Sequence, residues 1–477
     1  MIVLAVALCF ASGYFLVALL WPDRTWKSDL LLRSSLSVGL GIGLFSLLFF
    51  LARAFNSDRL TLIDVLSTSA FGLLLLISRR RPNPTLTMQP PREALEFPHW
   101  PRRLLQISFA LAVAVAGYCA ILRVIVHPYG DGWDAFSIWN LHARFMFRGG
   151  SHWRDGFTNI ISWSHPDYPL LLPASVAHFW TYLGDDNTAV PAVISLLFAA
   201  STLGLLCSSL NGLRGRNIAL LAGVSLLCTP FFVEQAAAQY ADVPLSFFFL
   251  ATVVLFCIHH QRYPDSNRLL VLSGIAGGFA AWTKNEGLLF LCVALSVGVV
   301  FAGIRKREGG SNAASRASGF SRWPALALFS VGAIPILVLI LWFKHSIAPP
   351  GDLFSTPASM LGKLMTPGRY WTVFRWYVRQ VFRFGHWWIA PGTALFALLY
   401  FAYRQKNEDH RNPAFWPIFS TLTLTAAGYF VIYLITPYDI YWHLRFSLNR
   451  LFLQLWPSVI FLFFSSVSFR SLHNVSK

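Results

Sequence analysis

Charge is what this chain has least of. Only 12% of its 477 residues are Asp, Glu, Lys or Arg, roughly half the share of a soluble domain. Acids are the scarcer sign, with 21 Asp and Glu against 38 Lys and Arg. The resulting net charge of +17 does not point to nucleic acid. The basic residues lie in short clusters between hydrophobic runs, as topology signals and lipid-headgroup contacts do. The six cysteines (Cys9, Cys119, Cys207, Cys228, Cys257 and Cys292) all fall in apolar runs without ligand spacing, so neither a disulfide framework nor a zinc site is supported. There is no Walker loop, GxGxxG, HExxH or CxxC, which leaves ATP hydrolysis, dinucleotide binding and zinc proteolysis without support. The absence of an internal repeat counts against a transporter built from repeated halves.

What is there is hydrophobic length. Mean hydropathy is +0.54, and the chain reads as an integral membrane protein, all-α and polytopic. With about 20 apolar residues needed per span, candidate transmembrane helices lie near 2–20, 32–52, 61–78, 104–126, 187–210, 217–233, 243–260, 269–283, 287–304, 324–343, 387–403, 415–436 and 448–468. That is about thirteen. The first run has no basic flank and no small-residue cleavage site before Trp21, so it reads as a retained helix. Aromatics make up 16% of the chain, with 18 Trp, suited to interfacial belts and to gripping a flat or greasy ligand.

Three stretches follow: amino-terminal helices and a loop over 1–103, a core over 104–304, and carboxy-terminal helices over 305–477. Alternation places Arg24, Lys27, Arg79, Arg80, Arg81, Arg214, Arg216, Arg305, Lys306 and Arg307 on one side, which is then cytoplasmic. Segments 127–186, 234–242, 344–386 and 437–447 are extracytoplasmic on this reading.

Most of the polar chemistry sits in these outer segments. In GDGWD, Asp131 and Asp134 precede DAFSIWNLHARFMF, an interfacial helix by its spacing, with Arg144 and Arg148 near headgroups. Either acid can take a proton from an acceptor, or can serve only as a turn or N-cap residue. The run 168–183 is a second interfacial helix. His165 and Asp167 flank Pro166 on a stiff turn, able to meet a phosphate, a metal or a sugar hydroxyl, or simply to face water. Asp242, in YADVPL, is an N-cap or a functional acid at membrane depth. Lys284 and Glu286, in TKNEG, pair with each other or meet a polar ligand, for which a lysine suits phosphate. The late cations Arg369, Arg375, Arg379 and Arg383, then His443, Arg445 and Arg450, suit a lipid-linked phosphate at headgroup depth or general headgroup contact.

Taken in order, GWDAFSIWNLHAR, HPDYPLLLP, GDDN, YADVPL, TKNEG and the late HLRFSLNRL resemble bacterial membrane glycosyltransferases of the GT-C superfamily. The likeness is to relatives of the dolichyl-phosphate-mannose protein mannosyltransferases and the lipid A aminoarabinose transferase, and it is fullest over 104–300. The resemblance implies a GT-C-like fold and a multi-pass enzyme of the bacterial inner membrane with an extracytoplasmic site. It also implies an inverting transfer of sugar from a polyprenyl-phosphate donor to a protein, lipid or glycan acceptor. It places the family's essential acid at Asp134, although Ala135 stands where a second acid is common and Asp131 is a possible substitute. Its HP element falls on His165-Pro166, its D-x-P-L acid on Asp242 and its TK lysine on Lys284. Lys284, Arg445 or Arg450 would then neutralise the departing phosphate, and Asp134 would act as base from the opposite face of the sugar. A monophosphate donor does not demand a divalent metal, no carboxylate cage for one is legible, and no cofactor is expected. Membrane lipids are partners; nucleic acid is not. The competing readings are a flippase or transporter for polyprenyl-linked glycans, which would need polar residues through the membrane interior, and a polymerase or ligase, which would centre on the 344–386 loop.

Overall fold

The computed structural model describes residues 1–23, 29–80, 99–307, 322–354, 357–387 and 412–466. Every regular element there is helical, as a lipid-spanning chain requires when no water is present to satisfy backbone groups. In order these are α1 (Ile2–Leu20), α2 (Leu30–Ala54), α3 (Leu60–Arg79), α4 (His99–Val126), a π-helical turn Ala135–Trp139 that runs into α5 (Asn140–Arg148), and two 3-10 turns. Then come α6 (Leu171–Leu183), α7 (Ala189–Arg214), α8 (Arg216–Leu227), α9 (Pro230–Ala236), α10 (Asp242–Arg262), α11 (Arg268–Thr283), α12 (Asn285–Arg307) and α13 (Arg322–Ser346). The last four are α14 (Pro357–Leu364), α15 (Pro367–Arg383), α16 (Phe415–Ile435) and α17 (Ile440–Ser466).

Ten of these are long and apolar enough to cross a membrane, or eleven if α8 and α9, bent by 74° at Cys228–Thr229, form one broken span. Of the thirteen expected runs, these ten or eleven qualify among the described residues. The run 217–233 breaks where Pro230 starts a new helix, the run 269–283 makes a shorter apolar helix of 16 residues, and 387–403 falls almost wholly outside the described residues.

The bundle is organised round α10. Of its most apolar stretch 89% is buried, against 6% for α4 at the rim. Close helix pairs are set by glycine. A Cβ on Gly13 would meet Ser37 O at 2.0 Å, and one on Gly274 would meet Phe329 O at 1.9 Å, so α1 lies against α2 and α11 against α13 at backbone distance, the usual solution where lipid offers no hydrophobic drive.

The helices sort the loops into two ends. At one end Arg262 donates to Asp29 at 3.0 Å. At the other, segments 127–186, 234–242, 344–386 and 437–447 meet: Asp131 N donates to Ala238 O, Lys344 Nζ to Asp167 O, Tyr438 to Asp352, and His386 faces Glu234. The alternation read from the basic loops therefore groups these four segments as observed.

Two features of the first of these segments differ from expectation. α6 is buried over nearly its whole length and packs as a core element, with His178 and Tyr182 both donating to the fully buried Asp64 of α3 at 2.8 and 2.6 Å. Arg144 and Arg148 are also not left for headgroups. Both grip Asp186 of the GDDN string, and Arg144 lies over Trp180, so this pair clamps α5 to the end of α6.

Candidate active site

The turn that presents Asp134 is built by two left-handed glycines, Gly130 at φ +89 and Gly132 at φ +86. A Cβ on Gly130 would also lie 2.3 Å from Ala135 Cβ. The turn is tied to the 234–242 segment through Gln239, held at φ +60. Gln239 accepts from Asn140 Nδ2 at 2.8 Å and donates to Pro128 O at 3.0 Å. His165 is a second non-glycine residue at positive φ, +51. Such conformations cost free energy and tend to collect where function constrains the backbone.

Asp134 stands just ahead of the π-helical turn and makes no capping bond, so the N-cap alternative does not describe it. Its Oδ2 accepts instead from Arg450 Nη1 at 2.6 Å. The same guanidinium donates through Nε to Asp242 Oδ2 at 2.8 Å, and it lies 4.6 Å over the Tyr240 ring, a favourable cation–π position. Asp242, fully buried, receives Gln454 Nε2 at 2.6 Å and Lys284 Nζ at 3.1 Å on its other oxygen. Lys284 continues to Glu286 at 2.9 Å. Asp134, Arg450, Asp242, Lys284 and Glu286 thus form one chain of alternating charge. Burial works to lower the Lys284 ammonium, but Asp242 and Glu286 outweigh it and hold the pKa above its ordinary value. The Tyr240 hydroxyl is pushed up, first by burial and then by Asp134.

Beside this chain is a second corner. Asp167 accepts from Asn285 Nδ2 at 2.8 Å, with Lys344 Nζ at 3.9 Å from its Oδ2 and 2.9 Å from its main-chain oxygen. His165 stacks on Tyr168 and lies 3.9 Å from Asp352. Tyr438 donates to that acid at 2.6 Å. His443, bonded to Thr436 at 2.8 Å, has its ring 5.7 Å from that of Tyr438. The buried Tyr168 joins the two parts: its hydroxyl is raised by burial, then by Glu286, Asp167 and Asp134.

The sequence candidates therefore divide. Asp134, Asp242, Lys284, Glu286 and Arg450 converge, with His165, Asp167 and His443 at the adjoining corner. Asp131 turns away to pair with Arg123 of α4. Arg445 is exposed and lies over its own neighbour Phe446. Arg369 donates to Leu434 O and Tyr433 O, satisfying carbonyls at the end of α16. Arg375, Arg379 and Arg383 are exposed on α15. Sequence reasoning missed Gln454, Gln239, Asn140, Asn285 and Lys344. Gln454 had a signal: it is a polar residue inside an apolar helix, one turn after Arg450. Among the described residues no three His, Cys, Asp or Glu side chains gather as metal ligands.

One histidine supports the site from behind. His142 of α5 is wholly buried and shares a 3.1 Å hydrogen bond with Ser164 Oγ, next to His165. Burial, reinforced by His165, lowers its pKa from 6.5 to about 3. Between those values the unfolded chain binds a proton that the folded chain refuses, so stability falls as pH drops from 6.5 towards 3, at up to about 1.4 kcal/mol per pH unit. Replacing His142 with Gln is expected to flatten this slope, read as apparent melting temperature against pH in detergent; an unchanged slope would remove His142 as its source.

Residues 164–340, a little over a third of the chain, match a family model described as dolichyl-phosphate-mannose-protein mannosyltransferase. The match spans His165, Asp167, Asp242, Lys284 and Glu286 but begins after Asp134. No curated protein and no solved structure matches the chain.

Proposed function

We propose, from the match of residues 164–340 to the dolichyl-phosphate-mannose-protein mannosyltransferase family model, that this membrane glycosyltransferase moves a sugar, with inversion, from a polyprenyl-phosphate donor to an acceptor on the extracytoplasmic face. Asp134 is the general base in this reading. The observation that carries it is the Arg450 bridge between Asp134 and Asp242. It fixes one oxygen of Asp134 at the rim of the bundle and leaves the carboxylate a quarter exposed, where an acceptor hydroxyl can reach it. A base must sit within hydrogen-bond reach of the proton it takes. The buried part of the network, Asp242 with Gln454 and Lys284, keeps Arg450 in place.

The acceptor, a protein, a lipid or a glycan, supplies the attacking oxygen. Its proton passes to Asp134, the oxygen–anomeric carbon bond forms, and the carbon–phosphate oxygen bond breaks with its electron pair going to the polyprenyl phosphate. A flippase is disfavoured because, among the described residues, this ion-pair chain stays at one end of the bundle rather than running through it. The outward orientation rests on the distribution of basic loops, and the bacterial inner membrane on the resemblance to bacterial GT-C enzymes alone.

The test is transfer of label from polyprenyl-phosphate sugars to a membrane extract by the purified protein. Transfer supports the enzyme reading; donor binding without transfer would move the flippase forward. The role of Asp134 is separable from that of Asp131. Asp131→Asn is expected to leave transfer within about fivefold of wild type, since its partner Arg123 is about a third exposed and an ion pair open to solvent contributes only ~0.2–1 kcal/mol. If Asp131→Asn is instead the inactive variant, the base lies three residues earlier than assigned.

A further inference from the structure

We propose that Lys344, with Asn285 and His165 beside it, holds the donor phosphate, rather than Lys284, Arg445 or Arg450. This rests on the donor reading above and concerns which cations are available to it. Arg450 has both working edges on carboxylates, Asp134 and Asp242. Lys284 lies between Asp242 and Glu286 with its side chain 5% exposed. An anion arriving at either would have to displace a carboxylate already in place, two of them in a buried setting where an unpaired charge is costly. Lys344 is differently placed. Its side chain is 27% exposed; among the described residues its one hydrogen bond is to the neutral Asp167 carbonyl, and the nearest carboxylate oxygen is 3.9 Å away. The acids facing this corner are already engaged, Asp167 by Asn285 and Asp352 by Tyr438.

Stereochemistry points the same way. In an inverting displacement the acceptor oxygen and the leaving oxygen lie on opposite faces of the anomeric carbon. The base is about 3 Å from the acceptor oxygen, which is itself about 3 Å from the carbon it attacks. The leaving phosphate oxygen is farther still. Arg450 touches Asp134 at 2.6 Å, so a phosphate held by Arg450 would crowd the base and leave little room for a sugar ring between them. The Lys344 corner has partners of its own, Asp167 and Asn285, separate from the Arg450 that touches the base, so a phosphate held there does not compete for the base's own cation. When the bond breaks, the departing polyprenyl phosphate gains a second negative charge. Lys344 then meets it with N–H groups not committed to any carboxylate at hydrogen-bond distance, and His165 adds a further donor. Asn285 contributes in another way: its Oδ1 is buried without a hydrogen-bond partner among the described residues, an acceptor suited to a hydroxyl of the sugar carried next to that phosphate.

The experiment is equilibrium binding of a sugar-free polyprenyl monophosphate to the purified full-length protein in detergent. Lys344→Gln is expected to weaken binding about tenfold or more, the loss typical of a charge-assisted hydrogen bond. Lys344→Arg keeps the charge and is expected to stay within about threefold, which also shows that the site folds. Asn285→Asp, the same size with a negative charge, is expected to weaken binding as well. Wild-type affinity in both Lys344→Gln and Asn285→Asp would overturn the assignment while leaving the donor reading intact. A wild-type protein that retains no polyprenyl phosphate would overturn the donor reading itself.

Discussion

Asp134→Asn is expected to lower sugar transfer by about 10²–10⁴-fold, the usual contribution of a positioned general base. Binding of the lipid-phosphate donor should survive. The substitution keeps the size of the side chain and one oxygen able to accept from Arg450 Nη1, now 2.6 Å from Asp134 Oδ2. The Asp242 half of the Arg450 bridge is untouched, so the protein should melt within a few degrees of wild type. What disappears is the second oxygen as a proton acceptor. The informative comparison is kcat against donor affinity. A collapse of kcat with affinity unchanged assigns Asp134 to the chemical step, whereas loss of both together would make it a binding residue.

The second large effect is on stability. Arg450→Met removes the cation shared by two acids, leaving the fully buried Asp242 with Lys284 and Gln454 alone. Removing one partner of a buried ion pair costs about 3–5 kcal/mol, because the remaining charge stays in a poorly solvating place. A large fall in apparent melting temperature is therefore expected, together with loss of transfer. Pairing it with Asp242→Asn should recover part of the stability, since neutralising the stranded acid removes much of the penalty, and a double-mutant cycle gives the coupling. Recovery of melting without recovery of transfer would show that the bridge serves both fold and base. Strict additivity of the two substitutions would refute the coupling.

The helical fold was legible because membrane spans carry their signal in composition and length alone. Two of the expected spans were less legible: the run 217–233 contains a bend before Pro230 that hydropathy averages over, and α11 is apolar but only 16 residues long. Asp134, Asp242, Lys284 and Glu286 could be singled out because charges beside or within apolar runs are rare. Their partners could not be, because Arg450 lies 316 residues from Asp134 and 208 from Asp242, and no local pattern encodes such pairings. For Lys284 the sequence offered either the neighbouring Glu286 or a polar ligand as partner, whereas for Arg450 it offered no acid at all; the structure places carboxylates on both. Asp131 and Asp134 were close to equivalent by spacing; the glycine turn separates them, sending one to Arg123 and the other to Arg450.

Because Arg450 and Gln454 belong to the final described helix, α17, the site also has an order of birth. A ribosome inserting this chain from its amino end delivers Asp134 and Asp242 long before their guanidinium partner exists. Until α17 enters, Asp242 has only Lys284 to neutralise it, and Asp134 has no cation of this network at all. A nascent chain halted before α17 is therefore poorly set to fold at this end of the bundle, as an unneutralised acid at membrane depth is costly. α17 thus acts as a keystone, and products truncated before it are expected to stay inert.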